Sequence, residues 1–259
     1  MSQDESRFMA PLQLAGRLIM ENGGETYRVE ETITRMGRAF GLDGVESFAV
    51  PSGVFVSYQR SDGSKETSVM RVHKGNTNLN RVNQVNEVSR QVEQGLMDCE
   101  AALARLNAIA SAPPLMSPLM LLVGTTISAG GFTLMFGGLL LDCIVAGFAS
   151  LLSQLMAQFF QRRRLHGLVS VLAGSVLCSL IPMLFHRISG MLILDATVAG
   201  ALMPLLPGLA MTIAVQDTMR GDNISGLSSG IGAILTAVMV AFGALVAAAI
   251  VSQLPGGGL

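Results

Sequence analysis

The strongest constraint on this chain is where its charge lies. Of its 35 Asp, Glu, Lys and Arg residues, 26 fall in residues 1–110, as 12 basic and 14 acidic, and the remaining 149 residues carry only 9. A polar half is therefore followed by one too apolar for a soluble core, so the chain must satisfy two solvents. The border is marked by Ser111-Ala112-Pro113-Pro114. Paired prolines fix φ and stop any helix arriving from Ala101–Ala110. This predicts a soluble domain over 1–110, a Pro-containing hinge over 111–118 and a membrane domain over 115–259.

A helix crosses a bilayer core with about 20 apolar residues, and five stretches qualify: roughly 115–136, 138–160, 167–185, 190–216 and 226–254. Gly137-Gly138 offers the first reversal, and short polar separators follow at 161–164, 186–189 and 217–225. Arg162, Arg163 and Arg164 form the cationic cluster of this half. The positive-inside rule puts that loop in the cytoplasm. Alternation then puts residues 1–110 and Arg220 inside, with Arg187 and the Pro255–Gly258 tail outside. The polar start of the chain, without the apolar core of a signal peptide before Pro11, agrees with a domain that stays in the cytosol. The Asn223-Ile224-Ser225 sequon then faces the cytosol and is set aside.

The polar half reads as α+β. Phe8, Leu12, Ala15 and Ile19 share one helical spacing, and Val29, Ile33, Met36 and Phe40 repeat it, each marking an apolar face. Ser47–Val50, Val54–Tyr58 and Ser68–Val72 read as strands of a meander, with turns at Pro51-Ser52-Gly53 and Ser61-Asp62-Gly63. Two more helices, about 78–94 and 97–110, carry Val82, Val85, Val88 and Val92, then Leu103, Leu106 and Ile109. The fold class expected is an α-helical polytopic membrane protein of five transmembrane helices, preceded by a soluble α+β cytoplasmic domain.

Composition narrows function by exclusion. With 50% hydrophobic residues the chain is not disordered, and a net charge of −1 leaves no basic field for a nucleic-acid backbone. Cys99, Cys143 and Cys178 lack metal or redox spacing and read as small buried hydrophobes. The histidines, His73, His166 and His186, lie apart, and neither a Walker lysine motif nor a Gly-x-Ser-x-Gly elbow occurs. Neither enzyme chemistry, a metal nor a cofactor is expected. An intramembrane aspartyl enzyme and a membrane-anchored sensor are the remaining alternatives. A sensor, however, needs fewer spans.

Asp142 and Asp195 are the ionisable groups set within spans. A charge there costs about 3 kcal/mol on insertion scales, so each must face the bundle interior or water. Counted from the outer side they enter the second and fourth spans to a similar depth, where they could exchange protons or bind a substrate amine. The competing reading makes each a cap at an outer helix end. Pro204 and Pro207-Gly208 break the fourth span near its middle. Interrupted backbone at that depth is tolerated only where it is buried in protein or lines a cavity, and such breaks are where many transporters bind substrate. Thr125, Thr126, Ser128, Ser153, Gln154, Ser175 and Ser179 either line a path or glue helices together. Gly226-x-x-x-Gly230 has the spacing of a helix contact, and Ser225 is expected to cap the fifth span.

The segments Gly23–Thr32, Pro51–Ser57, Asn78–Asn83 and Asn86–Ser89 resemble the amino-terminal domain of the threonine/serine exporter family. In the apolar half, Phe136-Gly137-Gly138 with Asp142, Leu202–Gly208 followed by Asp217, Gly221-Asp222 and Ser225-Gly226 resemble it too. The resemblance runs nearly end to end. It implies a secondary transporter, exporting threonine and serine from the bacterial inner membrane and coupled to protons. Full-length members carry a second membrane module that is missing here, which makes the chain similar to the larger subunit of split exporters associated with dicarboxylates such as succinate. It also implies a partner, either a second small membrane subunit or another copy meeting Gly130-Gly131 or Gly226-x-x-x-Gly230. Glu25, Arg28 and Glu30, otherwise a solvated helix start, would then contact the membrane half, and Asp217 would join the substrate or proton pathway.

Overall fold

The computed structural model describes residues 6–73, 77–113 and 116–254. They divide into two units, Met1–Pro113 with Thr212–Gly230 and Pro114–Met211 with Ile231–Leu259. Pro114, the predicted start of the first span at Leu115 and the tail from Pro255 lie outside the described residues.

In the first unit a 3-10 turn, Ser6–Phe8, leads into α1 (Met9–Glu21), followed by α2 (Thr26–Ala39). Leu12, Ala15 and Ile19 of α1 and Val29, Ile33 and Met36 of α2 are fully buried, on the faces their spacing predicts. Gly16 keeps the two helices close: a Cβ there would stand 3.0 Å from Ile33 and 3.2 Å from Val29. Strands β1 (Asp43–Val50), β2 (Gly53–Gln59) and β3 (Lys65–Arg71) form an antiparallel sheet in that order. Val54, Val56 and Tyr58 alternate inward, while Phe48, Phe55 and Val69, paired across the three strands, are exposed. The first strand starts earlier than the expected Ser47, because Gly44, at a φ of 57°, permits an irregularity between Asp43 and Glu46 that re-phases the pairing. Helices α3 (Leu79–Glu93) and α4 (Cys99–Ser111) close the core, capped by the side chains of Asn78 and Asp98. On α4 the buried face is Cys99, Ala102, Leu106 and Ile109; Leu103 is only half-buried.

The second unit is helical: α5 (Pro118–Met135), α6 (Leu140–Arg162), α7 (Gly167–Ser189) and α8 (Leu194–Leu202), which runs into a 3-10 turn, Met203–Leu205. Helices α9 (Gly208–Met219) and α10 (Asn223–Ser252) follow. The division between units falls within both, so that residues 212–230 belong with the first unit. Four helices are long and apolar enough to cross a membrane, or five if Leu194–Leu205 and Gly208–Met219, bent by 62° at their break, count as one span.

Small residues set the packing of the second unit, as expected where lipid removes any hydrophobic drive between helices. Ala146, Ala149, Cys178 and Ala201 form its buried cluster, with Leu202 and Leu205 against it. Large apolar side chains such as Leu119, Ile127 and Leu245 point outward, the inverse of the first unit. Cys178 and Cys99 are buried as expected, but Cys143, which packs against Gly130 of α5, is only half-buried. At the end of α7, Arg187 donates to the carbonyls of Val251 (3.4 Å) and Leu254 (3.0 Å), neutralising the last turn of α10.

Gly200 packs directly on backbone: a Cβ there would lie 2.6 Å from the Thr133 backbone nitrogen and 2.7 Å from its Cα, whereas Gly131 has open space around it. Gly200→Ala therefore forces α5 and α8 apart and is expected to cost about 1–3 kcal/mol, while Gly131→Ala is near neutral. Thermal unfolding of the detergent-solubilised variants checks the contrast.

Candidate functional site

Asp142 is buried and saturated with donors. Its Oδ2 accepts the Leu139 N–H at 2.6 Å, which caps α6. Its Oδ1 accepts the Ile193 N–H at 3.0 Å and faces the Thr197 hydroxyl at 3.1 Å. Ile193 immediately precedes α8. One carboxylate thus satisfies orphan backbone donors at the starts of two helices, where the macrodipole also favours negative charge. The cap reading of Asp142 describes this geometry, with a second helix added to it.

Asp195 occupies the first turn of the helix that Asp142 holds, but its side chain is exposed. The two carboxylates therefore meet the same helix start differently, one enclosed by the chain and one facing away from it. Beyond them, α8 gives way to the 3-10 turn containing Pro204, then to an extended Leu206 and Pro207, before α9 resumes at Gly208. Neither proline has an N–H to continue the helical ladder. Local bonds from Leu206 N–H to Met203 (3.1 Å) and from Gly208 N–H to Leu206 (2.9 Å) replace it. Pro204, Pro207 and Gly208 are thus the break the sequence predicts.

Asp217 sits elsewhere, in the first unit. It is buried, and the Thr26 hydroxyl at the start of α2 lies between its Oδ1 (3.3 Å) and the Asp222 Oδ2 (3.4 Å). Beside it the Arg220 guanidinium stands 3.5 Å above the Tyr27 ring, a cation–π contact. Gly226 lets α10 start against α9, since a Cβ there would come within 2.9 Å of the Ala214 carbonyl oxygen. The α2 segment does meet the 212–230 stretch, but through Thr26 and Tyr27. Glu25 and Arg28 pair with each other at 2.7 Å, as opposite charges three apart on a helix do. Glu30 accepts the Ala49 N–H at 2.9 Å. Burial pushes its carboxyl above the usual range, the Ala49 bond opposes this, and the negative charge of Asp222 adds to it. Two further expectations change here. The last helix begins at Asn223, so Asp222 rather than Ser225 precedes its first turn; Gly221, at a φ of 91°, completes the reversal early enough for that. Gly226 and Gly230 both face Ala214 of this chain, so that seam is already occupied.

The family described as "Putative threonine/serine exporter" matches residues 12–251. The chain belongs to the threonine/serine exporter family. It is 28% identical over 214 residues to the "Probable succinate transporter subunit YjjP" of Klebsiella aerogenes, with 81% of each chain covered. To the Escherichia coli (strain K12) protein of the same name it is 27% identical over 224 residues, with 82% of each covered. No solved structure matches it significantly. With its four to five apolar helices, this member of the exporter family is a membrane transport protein.

Sequence reasoning missed Thr197, Thr26, Tyr27 and Arg220, and treated Asp222 as a turn residue. A threonine two positions after an aspartate at a helix start was the available sign for Thr197. Nothing local marks Thr26, whose partners lie 191 and 196 residues away.

Two outcomes follow from these bonds. In Asp142→Asn, the amide nitrogen must face one of three donors, so a cap is lost, at a cost of about 1–3 kcal/mol; Thr197→Val should cost less, since both backbone donors keep their acceptor. Chemical or thermal unfolding in detergent orders the two. For Glu30 the folded carboxyl titrates above its unfolded value, so its contribution to stability is complete below the unfolded pKa and is lost as pH rises through the folded one. Glu30→Gln keeps the Ala49 acceptor and removes the charge. Melting temperatures between mildly acidic and neutral pH should fall less steeply with pH in Glu30→Gln than in wild type.

Proposed function

We propose that this chain is the larger subunit of a secondary exporter that moves threonine and serine out of the bacterial cytosol. It sits in the inner membrane with its α+β unit on the cytoplasmic side, and a second small membrane protein, or another copy of this chain, completes the pathway. The observation that carries the reading is the broken helix pair α8–α9, in a chain whose family is matched nearly end to end. A discontinuous span exposes backbone groups that a substrate can use, and it provides a joint about which two half-helices can move.

In this reading Asp142 is the fixed point. It ties the start of α8 to the start of α6, so motion at Pro204, Pro207 and Gly208 is expressed in α9 rather than at the anchored end. Exposed Asp195, on the same first turn, is the group able to exchange a proton or meet a substrate amine from the aqueous side. Asp217 ends the other half-helix and is held by Thr26, so the soluble unit acts on the far end of the same broken segment. Glu25, Arg28 and Glu30 shape that contact. The arginine cluster at 162–164 supports the orientation, because cationic loops are retained on the cytoplasmic side.

A dicarboxylate such as succinate is the second reading, and the names of the Klebsiella and Escherichia relatives favour it. The same names, each containing the word subunit, support a partner protein. Native co-purification followed by mass spectrometry should recover that second membrane protein or a homo-oligomer. A monomer that transports alone overturns this part.

Cells lacking the gene, loaded with a threonine-containing dipeptide, should accumulate threonine above wild type; cells grown to produce succinate test the alternative in parallel. If neither solute accumulates, the export reading fails. In proteoliposomes driven by a pH gradient, Asp195→Asn should remain folded, since an exposed carboxylate carries no buried hydrogen bond, yet lose most of the coupled flux. Wild-type flux in that variant would remove Asp195 from the pathway.

A further inference from the structure

One face of the β-sheet lies on the core of its unit and the other does not. Val54, Val56 and Tyr58 point inward and are essentially solvent-free, whereas Phe48, Phe55 and Val69 are 50%, 40% and 63% exposed. The register sets these three side by side, Phe48 opposite Phe55 and Phe55 opposite Val69, with the two rings 6.1 Å apart. An antiparallel sheet face turned to water ordinarily carries polar side chains. This one has an apolar row across its middle, and aromatic residues ringed by polar ones are what interface centres are made of.

The charges around the row are sorted by strand. Side chains alternate between faces along a strand, so Glu46, Ser57 and Thr67 form the next row of the same face, and Asp43, Gln59 and Lys65 the row after it. On the other flank Arg71 lies opposite Gly53. On this face β1 therefore presents Asp43 and Glu46, β3 presents Lys65 and Arg71, and β2 between them presents no charge. All four charged residues are exposed, and none forms an ion pair with another described residue. The Ser57 and Thr67 hydroxyls bond each other at 2.9 Å, so covering them strands neither.

An acidic edge, an apolar centre and a basic edge make this face complementary to itself. We propose that it is a two-fold docking surface for a second copy of this chain. A two-fold axis parallel to β2, between two sheets stacked face to face, puts β1 of one copy over β3 of the other. Phe55 then meets Phe55, Phe48 meets Val69, Asp43 lies over Lys65, and Glu46 falls between Lys65 and Arg71. Anionic headgroups would repel the acidic edge, so the pattern does not suit a lipid surface. Strands of seven residues, about 4.8 Å apart, span roughly 14 by 23 Å, short of the ~800 Å² that each side of a standard interface buries. The pairing is therefore weak alone and takes effect where a shared bilayer keeps the copies close. It is independent of the transport reading, because the face belongs to the α+β unit and the test reads association rather than flux.

Phe55 lies on the axis, and stacked sheets are about 10 Å apart. In membranes containing the full chain, a short bifunctional maleimide should therefore join Phe55→Cys to its own copy. The wild-type chain, with Cys99, Cys143 and Cys178, supplies the background. Val69→Cys, off the axis and facing Phe48, should give much less product. Added to Phe55→Cys, Asp43→Lys with Glu46→Lys should lower the dimer yield by about fivefold or more, as should Lys65→Glu with Arg71→Glu, because each pair of changes leaves two edges of like charge. All four changes together exchange the edges and should restore the yield. Coexpressing the two edge variants under different tags should restore it too, now between unlike chains. Melting temperatures should stay at the Phe55→Cys value throughout, since every changed charge is exposed; the two restorations carry the test even if one edge variant alone is destabilised. Absence of a dimer product, a yield indifferent to the charge changes, or a loss that neither combination restores overturns the proposal. So does a cross-link to a different protein, or protection of the introduced thiol without any dimer, as burial in lipid would give.

Discussion

A carboxylate without water must be matched donor by donor, and in the helical unit that requirement organises the structure around Asp142. Its two oxygens take the Leu139 and Ile193 N–H groups and face the Thr197 hydroxyl. The first turn of α6 and the first turn of α8 are thereby held at a common point, although the two helix starts are separated by all of α7. Everything downstream of Ile193 inherits that fixed origin. A helix anchored at its start and broken by two prolines before its end has one mobile part, and the break rather than the anchor sets which part moves.

The same logic appears in reverse in the α+β unit. There the core is made by apolar side chains, with Leu12, Ile33, Val56 and Leu106 essentially solvent-free, and polar groups gather where residues 212–230 come against α2. Thr26 offers a single proton to two carboxylates, Asp217 and Asp222, while Arg220 spends its charge on the Tyr27 ring. Acidic groups here outnumber the cations that balance them, and Glu30 adds another with its carboxyl pushed up by burial. Such a contact is held less firmly than one built from matched pairs, and its strength depends on protonation.

Much of this was legible in the sequence because it depends on local periodicity. The α1 and α2 faces, the three strands, the paired prolines at 113–114 and the interruption at Pro204-Pro207 are each written within a window of a few residues. What stayed hidden depends on distance along the chain. Asp142 reads as an interior charge until Ile193 and Thr197 are brought to it, and Thr26 is silent without Asp217.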